Sequence, residues 1–399
     1  MSYDVIVIGG GITGAALGYE LAKQGIQVLL IEQYSNLQGA TRQSYGGIAY
    51  WAGDTELTQT LCAEGIAIHR QLSQELDSPT EFREMELLMP IALDQDLSQL
   101  LAGYAGFPIQ PTVLTPQEAQ EREPLLAIES MAAALALPHA QVHPVKASQA
   151  YRSAMVRRGG TCQVAQVDRV EVDGTGVSVV TAGETFHADK VLICAGSLSR
   201  QLLRQSGIHL QQYFSYAESI ELPPSGLQLR TIVMAPDIKR FGLEAQASTA
   251  ELDHFWDEAD HQLSPPILDA GAIQFFDGTI RIGQISRTIT TITDSFDSLP
   301  SVDAGDSEQI IRDGVRKMLP AIADLPGTWD VCTVAFSRDH LPLIGPIAET
   351  PRIQVFSGFS NPLVLVPPLA RRFAQTFGSQ PDAVVAHLSP QRFRSGKEN

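Results

Sequence analysis

Three glycines in VIGGGITG (Gly9, Gly11 and Gly14) stand at G-x-G-x-x-G spacing behind an apolar run. A turn of this kind takes the pyrophosphate of a dinucleotide. Gly9 permits the sharp bend, Gly11 lets the backbone come close to the phosphates, and Gly14 lets the following helix pack tightly on the sheet. The anion sits on the helix N-terminus, where Ile12 and Thr13 form the first turn. Glu32, with Gln33 beside it, follows the next apolar run at the distance where a carboxylate accepts hydrogen bonds from an adenosine ribose. The same charge repels a 2′-phosphate and disfavours NADP, but the spacing does not separate FAD from NAD.

Such residues work only if a strand, a helix and a second strand hold them in order. Residues 4–8 (DVIVI) read as a buried strand, 12–24 as a helix, Gly25 as its C-cap and 27–31 (QVLLI) as the second strand. Along the helix Gly14, Gly18 and Ala22 recur at spacing four and leave a smooth face for close packing, while Leu17 and Leu21 add apolar bulk.

Beyond this unit, residues 55–77 carry Leu57, Leu61, Ile66, Ile68 and Leu72 without two-residue alternation, which predicts one helix or two. Residues 147–158 predict another helix, ending at Gly159 and Gly160. From Thr161 the apolar residues alternate. A turn at Asp173 and Gly174 then predicts a β-meander that returns into a buried strand at 190–194, followed by an Ala195-Gly196 turn. Residues 213–300 are rich in strands and turns, and 307–318 read as a helix stopped at Pro320. The expected fold class is α/β plus α+β, a Rossmann-like nucleotide-binding domain with an inserted, mostly antiparallel β substrate domain. The expected limits are 1–85, 140–210 and 325–385 for the first domain, and 86–139 and 211–324 for the second.

Composition narrows the function classes. The 399 residues are 44% hydrophobic and 18% charged, enough for two domains with large cores. The formal charge of −17, from 28 basic and 45 acidic residues, repels phosphate backbones and anionic membranes, so no nucleic-acid partner is expected. Cys62, Cys162, Cys194 and Cys332 show no metal-ligand spacing and no disulfide framework, so no metal is expected and the thiols read as reduced. The first residues run straight into a strand, and no segment has the ~18 unbroken apolar residues of a membrane span. The expectation is a cytoplasmic protein with no integral membrane segment.

Five further segments give the chain a family likeness. It resembles the FAD-dependent D-amino-acid oxidase family, which includes glycine and sarcosine oxidases. GATRQSYGGI resembles the family's small-residue loop, which implies that Thr41, Arg42, Gln43, Gly46 and Gly47 approach the pyrophosphate and the flavin ring. HAQVHPVKASQAYRSAMVRRGG is similar to the stretch leading into the strand whose valine holds adenine through its backbone, here Val167; VLICAGSLSRQLL then supplies Ala195 and Gly196. AFSRDHLPLIGP resembles the T-x-D-x-x-P-x-I-G segment, with Ser337, Asp339, Pro342 and Gly345 in place. GFSNPLVLVPPLA occupies the loop that caps the flavin pyrimidine, which implies roles for Asn361, Pro362, Leu363 and Val364.

Two departures bear on chemistry. Asn361 and Leu363 stand where the family usually has glycines, and Val334 stands where its amino-acid oxidases often place an arginine for the substrate carboxylate. Arg287 and Arg240 are candidate replacements, and Gln274, Arg287 and Val334 are the candidate substrate contacts. His139, His143 and His340 are expected to be structural, Phe275 and Phe276 to be core, and Cys332 to be a small buried hydrophobe. With no flavin-linking residue recognisable, FAD is expected to bind non-covalently. The resemblance implies hydride removal from the CH–NH bond of a small amine or amino acid, leaving an imine, with dioxygen or another acceptor reoxidising the flavin. Rival readings are a flavin-binding protein of the same fold without oxidase chemistry, or a dehydrogenase with a different acceptor. An NAD-dependent or tRNA-modifying Rossmann enzyme fits the acidic charge and the C-terminal segments less well.

Overall fold

The computed structural model describes residues 2–172, 174, 176–237, 239–292, 304–379 and 382–393. Among them, strands form an eight-stranded and a nine-stranded sheet. In the first, Ser2–Ile8 lies centrally and pairs in parallel with Val28–Glu32 and with Thr185–Ile193. Parallel partners Thr350–Ser357 and Thr161–Val164 extend it on either side. Strands buried on both faces read as continuous apolar runs, and VLLIE at 28–32 is buried throughout. Helix Ile12–Lys23 packs on this sheet together with Pro144–Arg157 and Pro362–Gln375. The meander Val167–Val172 and Val177–Thr181 and helix Ser199–Gln205 contribute to the core on the other face.

The second sheet runs Thr328–Phe336, Tyr213–Leu222, Ile280–Ile289, Gln262–Gln274, Ile232–Met234, Arg83–Ala92, Met131–Gln141 and Gly47–Ile48. All these neighbours are antiparallel except Ile232–Met234 beside Arg83–Ala92. Helix Ala304–Arg316 packs on it.

The expected fold class is present, with differences of detail. One helix, Glu56–Glu75, fills the 55–77 region, started by a capping box between Thr55 and Thr58. The 147–158 helix begins three residues early, because His143 caps it and Pro144 suits its first turn. Gly25 follows the cap residue Gln24 at φ +83°. The 307–318 helix spans Ala304–Arg316, and Pro320 starts a second short helix as well as stopping the first. Of the turn placed at Asp173 and Gly174, Asp173 lies outside the described residues. Sheet membership also crosses the expected domain limits. Gly47–Ile48 and Thr328–Phe336, both assigned to the first domain, hydrogen-bond into the second sheet. Strand pairing across hundreds of residues decided this, and local pattern does not encode it. No helix among the described residues is long and apolar enough to cross a membrane.

Candidate functional site

A cavity of about 690 Å³ runs between the two sheets. Its first-sheet end is bounded by the glycine turn, Glu32, Gln33, Tyr34 and residues 165–168, and its far end by residues 330–335, Tyr216, Ile292 and Gln43.

The glycine turn has no room for side chains. Gly9 has φ +105°, and a Cβ there would lie 2.4 Å from the Cys194 carbonyl oxygen; one on Gly14 would lie 2.0 Å from the Gly9 carbonyl oxygen. Gly11 starts helix Ile12–Lys23 with no side-chain cap, which leaves the helix N-terminus facing the cavity as an anion site. The Ile12 N–H donates to Thr41 Oγ1 at 3.1 Å, tying the turn to helix Gly39–Gln43. Glu32 is buried; its Oε2 accepts from the Gly10 N–H at 2.6 Å and its Oε1 from the Tyr34 N–H at 3.1 Å. Beneath the turn, the buried Ser148 hydroxyl donates to the Gly10 carbonyl at 3.0 Å.

The far end is built of side chains. The Ser197 and Thr333 hydroxyls share a hydrogen bond of 2.6 Å, and Tyr216 Oη donates to the Thr291 carbonyl at 2.5 Å. Gln43 Nε2 donates to Asp330 Oδ2, joining helix Gly39–Gln43 to strand Thr328–Phe336. Burial pushes the Cys332 thiol up to about 12, so it stays protonated and inert. The Leu363 carbonyl accepts from His69 Nε2 at 2.6 Å, and burial lowers the pKa of that imidazole to about 4, keeping it neutral.

Of the expected site residues, Gly9, Gly11, Ile12, Thr13, Glu32, Gln33, Thr41, Gln43, Val167, Ala195, Gly196, Val334, Pro362 and Leu363 line this cavity. The others are placed elsewhere. Gly14 lies under the turn against Cys194. Arg42 turns away, and its guanidinium forks onto Glu221 at 2.9 and 3.3 Å. The Gly46 carbonyl accepts from the Val142 N–H, and Gly47 pairs with Gln141 in the second sheet. Asn361 caps helix Pro362–Gln375, and Val364 is wholly buried against Gly65. Gln274 is occupied as a loop brace, with its Oε1 accepting from the Leu229 N–H and its Nε2 donating to the Leu227 and Gly278 carbonyls. Arg287 donates to the buried Glu218 at 2.5 Å and to the Ser307 hydroxyl at 3.2 Å, outside the wall.

Arg240 is likewise committed, to the Ser360 carbonyl at 3.1 Å. His139, His143 and His340 do not line the cavity; His139 accepts from Trp51 Nε1 and His143 caps helix Pro144–Arg157. Phe275 is core, whereas Phe276 is exposed under the Arg83 guanidinium. Tyr34, Ser44, Asp168, Tyr216 and Asp330 are wall residues that the sequence reasoning missed. For Asp330 a signal existed: two-residue alternation puts it with Cys332 and Val334 on one strand face.

Comparison with known proteins decides the family. The profile of the FAD dependent oxidoreductase (DAO) family matches residues 4–376. The chain belongs to that family. The glycine oxidase of Geobacillus kaustophilus (strain HTA426) is 29% identical over 249 residues, covering 58% of this chain and 65% of that protein. The peroxisomal sarcosine oxidase of Homo sapiens is 27% identical over 212 residues, covering 52% and 54%. The aligned stretches therefore span less than two thirds of either curated relative. The crystal structure of the Geobacillus kaustophilus glycine oxidase superposes with a TM-score of 0.78 over 98% of this chain and 99% of that one, at 22% identity, a likeness of fold. FAD is the family's cofactor, and the glycine turn with its open helix N-terminus at one end of a long cavity suits such a dinucleotide.

Proposed function

We propose that the chain holds FAD non-covalently in this cavity and oxidises the CH–NH bond of a small amine or amino acid to an imine. The observation that carries the reading is the continuity of the cavity, from a backbone anion cradle at Gly9–Thr13 to the side-chain wall around Val334. Backbone N–H groups at the glycine turn, together with the Thr41 hydroxyl, would hold the pyrophosphate. Glu32 and Gln33 would hold the adenosine, with Val167, Ala195 and Gly196 along its path. Gln43, Pro362 and Leu363 would bound the flavin. When bound, the flavin supplies the hydride acceptor.

The chain's own contribution is orientation and exclusion of water. Val334, Ile292, Phe359 and Cys332 line the cavity with apolar surface, so a substrate carbon is held out of solvent. An imine product would hydrolyse once it met water, and dioxygen or another acceptor would take up the electrons that the bound flavin supplies. The test is anaerobic mixing of the flavin-loaded protein with a panel of primary amines, secondary amines and amino acids. Bleaching of the flavin by amines, reversed on admitting air or an artificial acceptor, is the expected result. A yellow protein that no member of the panel bleaches would leave a flavin-binding protein without oxidase chemistry.

A further inference from the structure

Among the described residues, the far end of the cavity carries one charged group, Asp330. Around it stand Gln43, Tyr216, Ile292, Cys332 and Val334. Among the described residues no Lys, Arg or His lines the cavity. The sequence that follows Ile292, TDSFDSLPSVD at 293–303, contains none either.

Arginines in the surrounding elements are each committed to other partners. Arg42 forks onto Glu221. Arg281, 2% exposed, also pairs with Glu221 and donates to the carbonyls of Arg42 and Ser44 at 3.2 and 2.7 Å. Arg287 holds Glu218, which is 0% exposed, and Arg240 holds the Ser360 carbonyl with Glu244 at 3.7 Å. Turning Arg287 or Arg240 toward a ligand would strand a buried carboxylate, a costly exchange. A substrate carboxylate entering here would meet no cation and would face Asp330, so desolvation and like-charge repulsion both act against it.

Asp330 has capacity to spare. Its Oδ1 accepts from the Val331 N–H at 2.7 Å and its Oδ2 from Gln43 Nε2, and a carboxylate oxygen accepts two hydrogen bonds. One bond comes from the carboxylate's own strand and the other from helix Gly39–Gln43, and together they fix its position. We propose that Asp330 sets the specificity of the site, and that the substrate is an amine without a free carboxylate, which binds as its cation and loses an N–H proton to water before it is oxidised. The term substrate rests on the proposed amine oxidation; the binding preference does not.

The experiment is equilibrium dialysis of the oxidised, flavin-loaded protein against radiolabelled tetramethylammonium and, separately, radiolabelled propionate. Neither ligand needs turnover. Tetramethylammonium is expected to bind and propionate not to bind over the same range. Asp330→Asn is expected to weaken tetramethylammonium by about tenfold or more, and Asp330→Glu by only a few-fold. Tighter binding of propionate, binding of neither ligand, or an unchanged Asp330→Asn affinity would each overturn the proposal. Should Asp330→Asn fail to retain flavin, the wild-type contrast and Asp330→Glu still decide. Cation binding without any amine bleaching the flavin would sink the oxidation reading alone. Bleaching by amines and carboxylated amino acids alike, unaffected by Asp330→Asn, would sink this inference alone.

Discussion

The two ends of the cavity are made of different material. At the first-sheet end the working groups are largely backbone: a glycine turn, a helix N-terminus and strand ends, fixed by residues adjacent in sequence. At the far end they are side chains on Thr328–Phe336 and Gly39–Gln43, held to each other by pairs such as Gln43 and Asp330, 287 residues apart. A site built of local backbone is specified wherever its motif occurs. One built of side chains can change its charge by a single substitution and keep the fold, which is how one family accommodates different substrates.

Breaking the second sheet behind the far end should give the largest effect on stability. Arg287→Met leaves Glu218 wholly buried without its cation, and the expected loss is about 3–5 kcal/mol in a urea unfolding series. Because Glu218 lies outside the cavity wall, the folded fraction should still carry flavin. A loss below about 1 kcal/mol would show that the pair is not the anchor of this half.

The glycine turn should fail differently. Gly14→Val places its branched side chain where even a Cβ would lie 2.0 Å from the Gly9 carbonyl oxygen. The expected cost is about 3 kcal/mol of overpacking, accompanied by loss of flavin from the purified protein. Normal flavin content in that variant would remove the glycine turn from the nucleotide site.

A smaller effect is set by pH and acts where helix Pro362–Gln375 meets Glu56–Glu75. His69 has a folded pKa lowered to about 4 from 6.5 by burial, so the unfolded chain binds the proton more readily. Its contribution is complete above pH 6.5 and is lost as pH falls toward 4. Between about pH 8 and about pH 6 the expected loss is about 1 kcal/mol, with His139 and His143, also lowered by burial, adding in the same direction. His69→Gln should flatten the profile over this range, and thermal melts across pH are the measurement. An unchanged slope would assign the pH dependence to the other histidines.

The same division explains what could be read from the sequence. Gly9, Gly11, Thr13, Glu32 and the alternating strand-helix pattern were legible because each acts through its own neighbours. The Val167 and Gly196 positions followed from the family resemblance, and both line the cavity. Arg42 is placed near the site by its position in GATRQSYGGI, and Gln274 and Arg287 by the strand-rich region that the resemblance assigns to substrate binding. In the fold each finds a distant partner that takes it away from the cavity. Alternation with Cys332 and Val334 could flag Asp330 as a wall residue, but the pairing that commits the surrounding arginines elsewhere is set in three dimensions.

The central claim is that the cavity with the backbone-built glycine turn holds FAD without a covalent bond. The most direct measurement is to purify the protein, precipitate it with acid and assay pellet and supernatant for flavin. The account predicts a yellow protein that releases about one FAD per chain into the supernatant and leaves a colourless pellet. Flavin retained in the pellet, or a protein that carries no nucleotide at all, would contradict it.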